Sequence, residues 1–364
     1  MIPVYRPWIT DKERQYVDEA MASTWISSKG PFLDRFERDF AAYVGADYGV
    51  AAANGTVALH LAFAALGIKP GDEVIVPALT YVASVNAISY TGATPVFVDS
   101  EAEHWNLDPE LVEQAITQRT KAIEVVHLYG YPAEMDHVLE IARRHNLVVI
   151  EDAAEAHGAE YKGRRVGSIG TIGVFSFFGN KIVTTGEGGM LLTSDADLAD
   201  RARHLRGQGV SPTKTYWHDV LGFNYRMTNV AAAIGCAQLE RIEETLAAKR
   251  RIARSYQRHL VDIEGVTLHI DPSWAKPVYW MNCILVSPEL RDRLMAFLAG
   301  DAIETRPFFY PAHTLPMYAT GQRFPVAERL GASGINLPSH PTLEEDEILR
   351  ICDRIRDFMQ SYNG

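Results

Sequence analysis

Three short segments hold residue types able to do chemistry. The run Val149-Ile150-Glu151-Asp152-Ala153-Ala154-Glu155 ends an apolar stretch with carboxylates, and a carboxylate on a buried strand is costly without a partner. The run Phe175-Ser176-Phe177-Phe178-Gly179-Asn180-Lys181 sets a lysine behind buried-looking aromatics. Taken out of water, such an amine has a lowered pKa and can form a Schiff base; in a solvated turn it does neither. In the third segment, Ala53-Asn54-Gly55-Thr56, a Gly-Thr pair precedes an apolar run. Backbone N–H groups and a hydroxyl at a helix start suit a phosphate, although an Asn or Thr there is also an ordinary cap.

Together the three are more specific than any one. A Schiff-base lysine, a carboxylate to keep a pyridine nitrogen protonated and a phosphate cradle are what pyridoxal phosphate requires. Competing signatures are missing: the chain has no G-x-G-x-x-G after a first strand, no G-x-x-x-x-G-K-[ST] and no H-E-x-x-H among its 12 histidines. Just after the lysine, Thr184-Thr185-Gly186-Glu187-Gly188-Gly189 permits close backbone approach.

The elements that must position these groups alternate. Glu73–Pro77, Thr94–Asp99, Ala122–Leu128 and Leu147–Ile150 read as strands. Tyr81–Tyr90, Asp108–Ile116 and Met135–Arg144 read as helices, the second opened by an Asp cap and a first-turn proline. Repeated β-α-β units predict a mainly parallel sheet covered on both faces, with its ligand crevice at the carboxyl ends of the strands. Thr228–Leu260 reads as one long helix, unbroken by proline, leading into a second domain. There Val266–Ile270 and Asn282–Ser287 read as strands and Arg291–Leu298 as a helix.

With 364 residues, 47% hydrophobic and 22% charged, the chain is long enough for two domains and is not disordered, coiled-coil or collagen-like. A net charge of −11 argues against nucleic acid or an anionic membrane as partner. No apolar run reaches the ~18 residues of a membrane span, and the start does not read as a signal peptide. Three scattered cysteines fit neither a disulfide framework nor a zinc site. A cytoplasmic protein with reduced thiols and no metal is expected.

The chain resembles, over essentially its whole length, the sugar-nucleotide aminotransferases, a branch of the fold-type-I, aspartate-aminotransferase-like pyridoxal phosphate enzymes. The resemblance rests on Trp25 to Gly30, Asn54-Gly55-Thr56, Pro77 to Tyr81, Glu151 to Glu155, Ser176 to Lys181, Thr184 to Gly189, Phe223 to Asn229 and Glu304 to Pro307. It implies an α/β large domain over 1–244, with an N-terminal arm over 1–30 and a mainly parallel mixed sheet, and a smaller α+β domain over 245–364. It makes Lys181 the Schiff-base lysine and proton carrier, Asp152 the partner of the pyridine nitrogen and Tyr81 the cover of the ring. Gly55, Thr56 and Ser176 would hold the phosphate, with Asn224 reaching it from the neighbouring subunit of a homodimer with shared sites. Where many relatives carry Gln this chain has Glu155, which would lie near the ring hydroxyl; a structural carboxylate is the other reading. Arg226, Arg306 and Lys29 are candidate diphosphate partners, since cationic side chains match phosphate oxygens. Trp25, His313 and Tyr318 are candidate walls of the sugar or base pocket, or packing at a domain junction.

The reaction so implied is amino transfer from L-glutamate to C4 of a nucleotide-linked 4-keto-6-deoxyhexose. GDP-4-keto-6-deoxy-D-mannose is the favoured acceptor, for surface polysaccharide (O-antigen) synthesis. A TDP- or UDP-linked ketone is the nearest alternative. A sugar dehydratase of the family would have His in place of Lys181, and a non-catalytic regulator would carry an appended binding segment.

Overall fold

The computed structural model describes residues 1–363. Its centre is a seven-stranded sheet. Across it the strands run in the order Tyr48–Ala52, Gly189–Thr193, Ile172–Ser176, Val148–Asp152, Thr120–Val126, Glu73–Pro77 and Thr94–Val98. The last five in this order pair parallel. Gly189–Thr193 returns antiparallel against Ile172–Ser176, and Tyr48–Ala52 antiparallel against Gly189–Thr193. Three of these strands are buried at every residue and three more at all but one, which is why they read as continuous apolar runs rather than alternating ones.

Register brings the chemical segments to one edge. Asp152 stands opposite Val126 on one side and Val174 on the other, and Ser176 faces Gly189, which also pairs with Ala52. The Gly-Thr turn that follows Ala52, the strand-end aspartate and the serine two residues past Val174 therefore converge.

Helices cover both faces. Pro31–Val44 starts with proline at its first position, ends on left-handed Gly45 (φ 97°), and buries Phe32, Phe36 and Phe40 on one stripe. Phe36 meets Phe177 at 4.9 Å between ring centroids. Its other neighbour is the helix Asn229–Glu240, where Gly235 leaves room for the Phe36 ring: a Cβ there would sit 2.6 Å from it.

Thr228–Leu260 is not one helix. It breaks at Arg241 (φ −114°, ψ 9°) into Asn229–Glu240 and Ile242–Leu260. The cause is tertiary: the Arg241 guanidinium turns to Thr10 and Glu13 near the start of the chain and stacks over Trp8 at 4.4 Å. Ile242–Leu260 starts in the large core with Ile242 and Leu246 and ends in a second core with Ile252, Tyr256 and Leu260. That second core lies under a four-stranded sheet ordered Thr267–Leu268, Asn282–Leu285, Gly334–Leu337, Arg306–Pro307. Within Val266–Ile270 only Thr267 and Leu268 pair. The N-terminal residues join this region too, since Ile2 bridges Ile303 and Val4 donates its N–H to Glu304. Residues 278–285 and 308–330 contribute in turn to the large core, through Val278, Trp280, Phe308 and Leu330.

Asp99, buried just past the strand Thr94–Val98, accepts the Val326 and Ala327 N–H groups at the start of the helix Pro325–Ser333. Asp99→Ala is expected to lower stability by about 1–2 kcal/mol, the loss of a helix cap. Urea unfolding followed by circular dichroism checks this.

Candidate active site

A cavity of about 620 Å³ opens at the carboxyl edge of the large sheet and brings together Gly55, Thr56, Tyr81, Asp152, Glu155, Ser176, Lys181 and Arg306. Of the two adjacent strand-end acids, only Asp152 faces it. Glu151, on the opposite face, accepts from His127 Nε2 (3.0 Å) and from the N–H groups of Gly167 (2.7 Å), Ile169 and Gly170 (both 2.6 Å). The Ala133 N–H donates to His127 Nδ1, which leaves the ring proton on Nε2. Burial would raise the Glu151 pKa, but these donors outweigh it and hold the carboxyl below the usual range. Glu151 thus ties down the 167–170 turn.

Asp152 Oδ2 accepts from the Ser84 hydroxyl at 2.8 Å and Oδ1 from the Ala154 N–H at 3.1 Å, with Thr80 backing Ser84. Burial pushes its pKa up, against those bonds and the Lys181 charge. Glu124, on the same sheet face of the neighbouring strand, is fully buried with neither oxygen bonded. Burial and the Asp152 charge drive its pKa well up.

The Lys181 side chain, only 11% exposed, places Nζ 3.6 Å from Glu155 Oε1. The Tyr129 N–H donates to Glu155 Oε2 at 2.7 Å, and Tyr129 itself holds φ at 54°. Burial raises Glu155 to about 7 against the Lys181 charge. The same burial lowers the Lys181 amine, opposed by Glu155 and Asp152. Burial therefore moves both toward their neutral forms, and a neutral amine is the nucleophilic form. The lysine loop is braced from behind. Tyr5 donates to the Lys181 carbonyl (2.7 Å), Trp280 Nε1 donates to the Asn180 carbonyl (2.7 Å), and the Thr185 N–H donates to the Phe177 carbonyl (2.9 Å).

The phosphate cradle has a steric signature. A Cβ on Gly55 would sit 2.7 Å from Ser176 Cβ, so a side chain there would fill the space between the helix Gly55–Ala65 and Ser176. Asn54 caps that helix by accepting the Val57 N–H, and the first N–H groups of a helix have no partner within it. A basic pocket lysine, a buried carboxylate across from it and a cradle that only glycine leaves open fit pyridoxal phosphate.

The other expected residues lie elsewhere in the single chain. Asn224 and Arg226 are exposed and bonded to each other, Arg226 Nε donating to Asn224 Oδ1 at 3.1 Å. Arg226 lines a cleft of about 340 Å³ that shares Glu187 with the main cavity. Trp25 and Lys29 are exposed. His313 takes the packing position that was its other reading. It does not line the cavity but is buried against Phe97 and Phe324, with Nε2 3.2 Å from Glu328. Tyr318 is also outside the lining, its hydroxyl donating to Asn86. Tyr129, Asn180, Trp280, Phe309 and Asn336 line the cavity without having been singled out in the sequence. The unusual backbone of Tyr129 follows only from tertiary packing, and Trp280 arrives from a distant segment.

The sheet order, the lysine loop and the cradle define a pyridoxal phosphate enzyme of fold type I. The chain belongs to the DegT/DnrJ/EryC1/StrS aminotransferase family, whose sequence profile matches residues 7–356. It is 53% identical to the GDP-perosamine synthase of Escherichia coli O157:H7, over 98% of both chains. It is 51% identical to the GDP-perosamine synthase of Caulobacter vibrioides, over 96% of both. It superimposes on the PLP form of a putative sugar aminotransferase from Streptococcus pneumoniae with a TM-score of 0.94, at 28% identity and 99% coverage of both chains. The cofactor is pyridoxal phosphate. Among the described residues no cluster suits a metal ion, and no helix is long and apolar enough to cross a membrane.

Two predictions follow from the carboxylates. Glu151→Gln should lower stability by about 3 kcal/mol, because it leaves buried N–H groups without an acceptor, as read by urea unfolding. Glu155 acts through pH. Between its ordinary range near 4.5 and its folded value of about 7, only the folded chain holds that proton, so its contribution to stability is lost as pH rises through this window. In the cofactor-free protein, Glu155→Gln should remove on the order of 2 kcal/mol of that decline, seen by comparing unfolding midpoints at both ends of the window.

Proposed function

We propose that the protein moves an amino group from L-glutamate to C4 of GDP-4-keto-6-deoxy-D-mannose, giving GDP-perosamine for surface polysaccharide such as O-antigen, in the cytoplasm. The near full-length likeness to two GDP-perosamine synthases carries the choice of substrate, and the lysine set in a cavity of fitting shape carries the chemistry.

Bound pyridoxal phosphate supplies a sink for the electron pair released when a C–H bond beside nitrogen breaks. The chain's residues do the rest. Lys181 anchors the cofactor through its amine and, once freed, takes the proton from the glutamate Cα and later returns one to sugar C4. Asp152, fixed by Ser84 and Ala154, holds a proton on the pyridine nitrogen. Glu155 faces the same amine and holds a proton beside the ring hydroxyl. Tyr81, with Phe309 at 5.4 Å, covers the ring, and Gly55, Thr56 and Ser176 take the phosphate.

A homodimer completes this site in the reading proposed here. Tyr216 is 93% and Leu221 91% exposed, on the segment that leads into Asn224 and Arg226. Apolar side chains of that size on a surface favour a protein contact. Asn224 of a second copy reaches the phosphate, while Arg306, Arg226 and Lys29 meet the diphosphate and Trp25 the base or sugar.

The purified protein should show a visible absorbance band that L-glutamate bleaches and GDP-4-keto-6-deoxymannose restores. Return of the band only with a TDP- or UDP-linked ketone would move the substrate, and a band unmoved by any amino donor would overturn the function. Lys181→Ala should lose the band and about 1,000-fold or more in turnover. In sedimentation the wild type should run at twice the mass of one chain. Asn224→Ala should hold pyridoxal phosphate about tenfold more weakly, one hydrogen bond to an anion.

A further inference from the structure

The Lys181 amine has two neighbours in the cavity wall, and one of them is not an acid. Trp280 sets its indole so that the ring centroid is 3.8 Å from Nζ. The same side chain donates from Nε1 to the carbonyl of Asn180, the residue before the lysine, at 2.7 Å. One residue thus grips both the loop that carries the lysine and the amine at its tip. Trp280 is itself fixed. It is 4% exposed, its ring lies nearly parallel to that of Tyr129 (14°, 6.3 Å), and its carbonyl accepts from the buried Lys249 at 2.8 Å.

We propose that Trp280 is a positioning residue that docks the Lys181 ammonium on its ring face whenever the amine is not bonded to the cofactor. This rests on the function proposed above. The face of an indole attracts a cation and is indifferent to a neutral amine, so the ring stabilises one protonation state as well as one place. The other groups facing Nζ are Glu155 at 3.6 Å and, further off, Asp152, both favouring the ammonium. His157 lies behind among Phe40, Phe175 and Phe177, with burial keeping it uncharged. With two acids already present, the ring's distinct contribution is direction: it draws the amine to the wall and keeps it from collapsing fully onto Glu155.

The test follows capture of pyridoxal phosphate by cofactor-free protein. Only a neutral amine attacks the aldehyde, so the rate of growth of the visible band rises through the amine's ionisation midpoint as pH is raised. Trp280→Met should lower that midpoint by about half to one pH unit, making capture about 3- to 10-fold faster on the rising limb. Trp280→Phe, which keeps a ring face, should recover at least part of the shift. Should the Met variant fail to fold by circular dichroism, 5-fluorotryptophan protein gives the same reading. Fluorination weakens the ring face but keeps the Nε1 bond, and the midpoint should fall by a few tenths of a unit. A midpoint unmoved in these proteins, with rates changed by a constant factor at every pH, would reduce Trp280 to a wall and overturn the inference. Wild-type protein that captures no cofactor at any pH would instead remove the functional reading beneath it.

Discussion

A primary amine held out of water between two carboxylates is the constraint that organises this protein. Isolated charges at such a depth are expensive, and each of the three is supported by other groups. Asp152 has a hydroxyl and an amide, Glu155 has the Tyr129 N–H, and Lys181 has Glu155 and an indole face. The large sheet makes this possible by ending its strands together, so that groups far apart in the chain meet where backbone N–H groups are free. Glu151 is the structural counterpart of Asp152: adjacent in sequence and opposite in facing, it spends its carboxylate on a turn.

The helical cover serves the same end. Phe36, Phe40, Phe175 and Phe177 pack edge-to-face or tilted beneath the lysine loop, and aromatic pairs of this kind are worth more than the area they bury. Gly235 lets the helix Asn229–Glu240 approach that layer. The loop bearing Lys181 therefore stands on a rigid floor and is braced by Tyr5 and Trp280 from two ends of the chain.

Much of this was legible in the residues. The parallel strands announced themselves as short apolar runs, and Lys181, Asp152 and Gly55 stood out because strand ends are where open α/β sheets bind ligands, whereas Ser176 was named by the resemblance alone. What stayed hidden was set by tertiary contacts. The break at Arg241 has no proline or glycine to mark it, since it is made by Thr10, Glu13 and Trp8 from the far end of the chain. Trp280 and Tyr129 carry no local signal of their own. His313 has the residue type of a ligand contact but sits beside Glu328 and Phe324 in packing, and nothing in its neighbourhood of sequence distinguishes the two. Asn224 and Arg226 are exposed and bonded to each other, an arrangement that the sequence around them does not announce.

The helix Ile242–Leu260 begins in one hydrophobic core and ends in the other, and midway along it Lys249 bonds the carbonyls of both Trp280 and Ser339. A rod embedded at both ends and riveted at its centre couples the two cores to each other. A strain set up in either core is therefore carried to the segment that holds Trp280, and through it to the wall of the cavity.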